Sequence, residues 1–130
     1  MGIIDHIGLA TSDFDRSVAF YSVALKPLGI TLIVQFPADG PAGQAAAGFG
    51  VGGTPELWIN PGGPVTPRIH IALAANSRAE VEAFYAAALA AGGTDNGGPA
   101  VRAHYHPNYY GAFVLDPDGH DIEAVFHGPA

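Results

Sequence analysis

Apolar and polar positions alternate from the third residue onward. In "IIDHIGLA" (3–10), Ile3, Asp5, Ile7 and Leu9 share one face and Ile4, His6 and Gly8 the other. That period of two predicts a strand with little exposed surface. The period then lengthens. Phe14, Val18, Tyr21, Leu25 and Leu28 recur every three or four residues and predict a helix with one apolar stripe. Ser12 is its expected cap, Asp15 lies in its first turn, and Pro27 and Gly29 end it. "ITLIVQF" (30–36), "AAAGFGV" (45–51) and "PELWIN" (55–60) read as three strands, the last two joined by a Gly-Gly-Thr turn. "PGGPVTP" (61–67) reads as a linker.

The pattern then restarts. "RIHIALAA" (68–75) predicts a strand, and Ser77 and Glu80 form a capping box. Val81, Phe84, Tyr85, Ala88 and Leu89 make a helical stripe that Gly92 and Gly93 terminate. "DNGGP" is a loop and "AVRAHYHP" (100–107) a short or irregular strand. "YGAFVLD" (110–116) and "HDIEAVF" (120–126) are strands around a Pro-Asp-Gly turn. "HIGLATSDFDRSVAFY" from His6 and "HIALAANSRAEVEAFY" from His70 agree at seven of sixteen positions without a gap, 64 residues apart. The ends of the halves also match in pattern, "ELWIN" (56–60) lining up with "EAVFH" (123–127). Each half reads strand, helix, three strands. We therefore expect one α+β domain of two tandem βαβββ modules, 1–60 and 68–130 with 61–67 between them.

The composition narrows the function. A net charge of −7 with five Lys and Arg in 130 residues offers no basic patch for nucleic acid or an acidic membrane surface. With no cysteine there is no disulfide framework and no thiolate site. No basic, apolar leader and no membrane-length apolar run is visible, so a cytoplasmic location is expected.

Four side chains stand out by face. His6 is opposite Ile7 and Leu9, His70 opposite Ile69 and Ile71, Glu56 opposite Leu57 and Ile59, and Glu123 opposite Ile122 and Ala124. If the bulky faces pack under the helices, all four point into the other face of a curved sheet. Two imidazoles and two carboxylates converging there suit a divalent nickel, zinc, manganese, iron or cobalt ion, with room left for water or a chelating substrate.

"IDHIGLATSDFDRSVAFY", "RIHIAL" and "YGAFVLDPDGHDIEAVFH" resemble the vicinal oxygen chelate superfamily of glyoxalase I, extradiol dioxygenases, fosfomycin-resistance transferases and bleomycin-resistance proteins. The resemblance spans essentially the whole chain. It implies a cupped mixed β-sheet around a central cavity with helices outside, and metal ligands at His6, Glu56, His70 and Glu123. The quartet is most similar to that of glyoxalase I, and Glu56 tilts the choice, since the family's oxygenases and transferases resemble a triad that His6, His70 and Glu123 would supply alone. A glyoxalase-like lyase would act on a small oxygen-chelating substrate through an enediolate-type intermediate. Glu123 or Glu56 would shuttle the proton, Glu123 being slightly favoured. Small members of the family commonly dimerise, which implies a homodimer.

Substrate contacts are expected from Trp58 beside Glu56 and from the loop "RAHYHPNYYGAF" (102–113), with Arg102, His104 and Tyr110 leading. Arg68 and Arg102 are the basic residues expected to approach a cavity, and so few cations argue against a glutathione adduct. His120, in the turn, is expected at the surface, and His127 is a weaker candidate at a strand end. The alternatives are a metal-free drug-binding protein, which the acidic charge suits, and an iron-dependent extradiol dioxygenase.

Overall fold

The computed structural model describes residues 4–40, 43–63 and 67–130. Its first half runs β1 (Ile7–Thr11), α1 (Phe14–Ala24), a 3-10 turn (Lys26–Leu28), β2 (Thr31–Phe36), β3 (Ala46–Val51) and β4 (Thr54–Pro61). The second runs β5 (His70–Ala74), α2 (Arg78–Ala90), β6 (Thr94–Asp95), β7 (Ala100–Val101), β8 (Tyr110–Leu115) and β9 (Asp121–Phe126). The strands form two open mixed sheets, β1-β4-β3-β2 and β5-β9-β8-β6, with the short β7 also pairing with β8. In each, the first and last strands of the module run parallel and the other pairs antiparallel. Two βαβββ modules are thus present, as the repeat predicts.

Local chemistry explains most boundaries. Asp13, not Ser12, caps α1: its carboxylate accepts from the Arg16 amide at 3.2 Å. Ser77 caps α2 as expected, accepting from the Glu80 amide at 3.1 Å, while the Glu80 carboxylate takes the amide of Asn76. The β3–β4 hairpin turns on Gly52 and Gly53, both at positive φ, which side chains with a Cβ rarely adopt. Of "AVRAHYHP", only Ala100 and Val101 are strand, and the rest makes turns. His6 lies just before β1 rather than on it. Ile3 and part of the linker (64–66) fall outside the described residues.

One core serves both modules. Phe20, Tyr21 and Ala24 of α1, Leu25 just after it, and Val81, Phe84 and Ala88 of α2 are buried with Leu9, Phe49, Leu57 and Ile59 of one sheet and Ile71, Val114, Ile122 and Ala124 of the other. The helices also touch each other. Each covers one face of its own sheet, and burying each large side chain contributes roughly 1.5–3 kcal/mol. The opposite sheet faces stay open.

A buried polar joint fixes the modules together. Asp116 Oδ1 accepts from the amides of Asp118 and His120, and its Oδ2 accepts from the Tyr21 hydroxyl of the other module at 2.5 Å. Contrary to the expectation of exposure, His120 is fully buried. Its Nδ1 accepts from the Ile69 amide at 3.3 Å, which leaves Nε2–H to donate to the Ala10 carbonyl at 3.4 Å. Asp118 takes the amide and hydroxyl of Ser12. The Asp-Pro-Asp-Gly-His turn therefore closes the seam between the modules; its residues looked surface-like because such turns usually are.

Candidate functional site

The open face of the second sheet gathers the chemistry. Alternation along β5 buries Ile71 and turns His70, Ala72 and Ala74 outward. Along β9, Ile122 and Ala124 join the core cluster while Glu123 faces the cleft. His70 pairs with Asp121 and Ala72 with Glu123, so the Glu123 side chain reaches back along the strand to His70. His70 Nε2 lies 2.9 Å from Glu123 Oε1 and 3.9 Å from Asp121 Oδ2. The Glu123 carboxylate is wholly buried, whereas about half of the imidazole is exposed, 52% of its side-chain surface.

Tyr109 donates its hydroxyl to Glu123 Oε2. Burial, then the adjoining Glu123 carboxylate, pushes the Tyr109 phenol well above its ordinary pKa, so it remains a proton-bearing donor at neutral pH. Gly111 leaves room for this pair: a Cβ there would lie 2.9 Å from Glu123 Oε2 and 3.1 Å from a Tyr109 ring carbon. Behind Tyr109, His106 Nε2 and His127 Nδ1 share a hydrogen bond of 2.7 Å, and both rings meet the Tyr109 ring edge-on. His70, Tyr105, His106, Tyr109, Phe113 and Glu123 line a cleft of about 470 Å³. A second recess of about 350 Å³ shares Tyr105 and Phe113 with it and adds Asn96, Arg102, His104 and Asp121.

The remaining expected residues lie elsewhere. His6 is exposed, with its Nδ1 2.7 Å from Asp5 Oδ1. Glu56 is exposed and lines a pocket of about 300 Å³ between the modules, with Ile7, Phe49, Ile71 and Leu73. His6 and Glu56 each precede by one residue the paired Ile7 and Leu57. The structure therefore brings His70 and Glu123 together and sets His6 and Glu56 apart from them. Among the described residues, no three His, Cys, Asp or Glu side chains are grouped to hold one ion. Within a single chain, His70 and Glu123 fit half of the expected donor set, one imidazole nitrogen and one carboxylate oxygen.

Strand register corrects the matching of "ELWIN" with "EAVFH". Gly8 pairs with Trp58, while Ala72, 64 residues after Gly8, pairs with Glu123. Trp58, not Glu56, occupies the place of Glu123, and Glu56 occupies that of Asp121. Trp58 stacks on Phe36 on the open face of the first sheet, ring centroids 6.2 Å apart and planes 6° from parallel. Tyr110 faces α2, donating to Glu82 at 2.6 Å beneath the Arg78 guanidinium. The tyrosine on the cleft side is Tyr109. Adjacent residues entering a strand point to opposite faces, so no composition signal separates the two without the register.

The family model described as Glyoxalase/Bleomycin resistance protein/Dioxygenase superfamily matches residues 3–124. The chain belongs to that superfamily. No curated protein matches it by sequence. Among solved structures, a glyoxalase/bleomycin resistance protein from Albidiferax ferrireducens T118 is 23% identical at a TM-score of 0.72, over 98% of this chain and 100% of that one. A glyoxalase I variant from Zea mays is 23% identical at a TM-score of 0.70, over 94% of this chain and 46% of its own. A variant of the fosfomycin resistance protein FosX from Listeria monocytogenes, complexed with Mn(II) and 1S,2S-dihydroxypropylphosphonic acid, is 19% identical at a TM-score of 0.68, over 96% and 90%. At these identities the likenesses show the shared fold. No helix among the described residues is long and apolar enough to cross a membrane.

Proposed function

We propose that this protein is a metal-dependent, glyoxalase-like lyase or isomerase acting on a small oxygen-chelating carbonyl compound. The observation that carries this reading is the His70–Glu123 pair, 2.9 Å apart at an open cleft, with the second Glu123 oxygen held by Tyr109. Glu123 is placed to take a proton from a carbon beside a carbonyl and return it to the neighbouring carbon. Tyr109 holds Oε2, which directs Oε1 to the cleft. His70 steadies that oxygen, and Phe113 and Tyr105 line one side of the cleft. A bound divalent ion supplies polarisation of the substrate oxygens, which acidifies the carbon acid. His70 Nε2 and Glu123 would provide two of its protein donors once the hydrogen bond between them opens, and Glu123 would act on the substrate proton on loosening from the ion.

His6 and Glu56 would provide the others from a second copy of the chain, making the working form a cytoplasmic homodimer. Both sheets have an open face, and the two donor pairs sit on different modules, so a pair of chains can complete two sites. The test uses metal content. Wild type is expected to bind nickel, zinc or manganese, and His6→Ala and Glu123→Gln each to lose it. Mixing these two variants is expected to restore one intact site per mixed dimer. Protein that takes up none of these metals refutes the reading. Unchanged turnover in both Glu123→Gln and Glu56→Gln refutes the proton shuttle.

One observation favours a second reading. Trp58 stands in the register position of Glu123 and stacks on Phe36. Such a platform, on a chain of net charge −7, suits a flat cationic ligand held without metal. Tight binding of such a ligand by metal-free protein, lost in Trp58→Ala, would favour it.

A further inference from the structure

The recess next to the His70–Glu123 cleft holds the guanidinium of Arg102, and its surroundings differ from those of an ordinary surface arginine. Arg102 is partly buried, with its Cζ 4.9 Å from the centre of the Phe113 ring. Nη2 donates to the Gly98 carbonyl at 2.8 Å, and Nε is buried without a partner. Gly97 gives it space, since a Cβ there would lie 3.1 Å from Nη2. Among the described residues no ion pair involves Arg102. Asp121 lines the same recess, but its carboxylate accepts from Asn96 Nδ2 at 3.3 Å and lies 3.9 Å from His70. The guanidinium thus lies against an aromatic wall, anchored by one carbonyl and with no ion-pair partner among the described residues, a setting that favours an incoming carboxylate.

The same Phe113 ring that Arg102 covers has the His70 ring 6.0 Å away. The cation and the acid–base pair are therefore one side chain's width apart, with Tyr105 and Phe113 as their common wall. We infer that Arg102 holds an anionic group on the substrate, so that the substrate is a small carbonyl acid with a flat or apolar body between its anionic end and its reacting carbon. This rests on the proton-transfer reading for the reacting carbon but not for the anion. The overall negative charge makes the local fork matter more, because long-range attraction does not help an anion to this cleft.

The test compares benzoate with benzamide, which share a shape and differ in charge, by titration calorimetry. Wild type is expected to prefer benzoate by about tenfold or more at low salt, with the preference shrinking as ionic strength rises. Arg102→Gln is expected to bring the two within about twofold, and Arg102→Lys, which keeps charge but not the fork, to retain part of the preference. Should Arg102→Gln misfold by circular dichroism, the Arg102→Lys ratio and the salt dependence of wild type decide. Arg16→Gln, on the exposed side of α1, is expected to leave the ratio unchanged. Equal binding of the two probes by wild type, a ratio insensitive to salt, or an unchanged ratio in Arg102→Gln overturns the assignment. Metal uptake by wild type separates the two proposals: a benzoate preference with no metal uptake sinks the lyase reading alone, and equal binding of the two probes with normal metal uptake sinks the anion site alone.

Discussion

Replacing Tyr21 by Phe removes one oxygen from the interior and nothing else. Tyr21 is fully buried in α1, and its ring packs edge-on to Phe20, with centroids 4.9 Å apart, and near Phe49. Phe keeps those contacts. What is lost is the 2.5 Å bond to Asp116 Oδ2, on a carboxylate that is only 4% exposed. Asp116 Oδ1 keeps its two amide donors, but Oδ2 loses its hydroxyl partner where water has little access. A hydrogen bond to a charged group contributes about 1.5–3 kcal/mol, and the stranded oxygen places this one toward the upper end, so a loss of about 2–3 kcal/mol is expected. Urea unfolding at one fixed protein concentration would measure it, with the midpoint falling and the slope unchanged. Tyr85→Phe is the control: it deletes an exposed 3.0 Å bond to Asp95 and should cost under about 0.5 kcal/mol. A Tyr21→Phe loss as small as the control's would refute the view that a buried polar joint holds the modules together.

Other substitutions probe other links. Gly111→Ala should slow turnover more than it lowers stability, because the new methyl meets the end of Glu123 and the Tyr109 ring; a steady-state assay beside a thermal melt would separate the two effects. Asp13→Ala should destabilise by about 1 kcal/mol in urea unfolding and Ser12→Ala should leave helix content unchanged, since the carboxylate of Asp13 is the cap. In alkali, Tyr21 is raised above its ordinary pKa by burial and then Asp116, Tyr109 by burial and then Glu123, Tyr110 by its bond to Glu82 and Tyr85 by its bond to Asp95. Groups that hold protons more tightly when folded contribute stability that is full below pH about 10 and falls as pH rises beyond it. Absorbance at 295 nm should therefore show these four phenols ionising late, together with loss of structure; normal titration of Tyr21 and Tyr109 at pH about 10 in folded protein would contradict the burial argument.

Periodicity alone carried the modules. The change from period two to period 3.6 and back, repeated 64 residues on, predicts both helices and the main strands, because faces that must be buried impose those periods on any chain. The same alternation puts His70 and Glu123 opposite the core faces of their strands, where His70 Nε2 lies 2.9 Å from Glu123 Oε1. Three things were decided only in three dimensions. Register was one: residue types matched Glu56 to Glu123, but pairing across β1–β4 and β5–β9 puts Trp58 there, since turns and bulges, not composition, set which residues stand side by side. Parity was another, turning Tyr109 rather than Tyr110 toward Glu123. The last was long-range burial: His120 and Asp116 belong to a turn, and nothing local says that helix α1 and the end of β1 will close over it. Local sequence encodes which face a residue takes on its own element. Which elements meet, and at what offset, depends on the packing of the whole core.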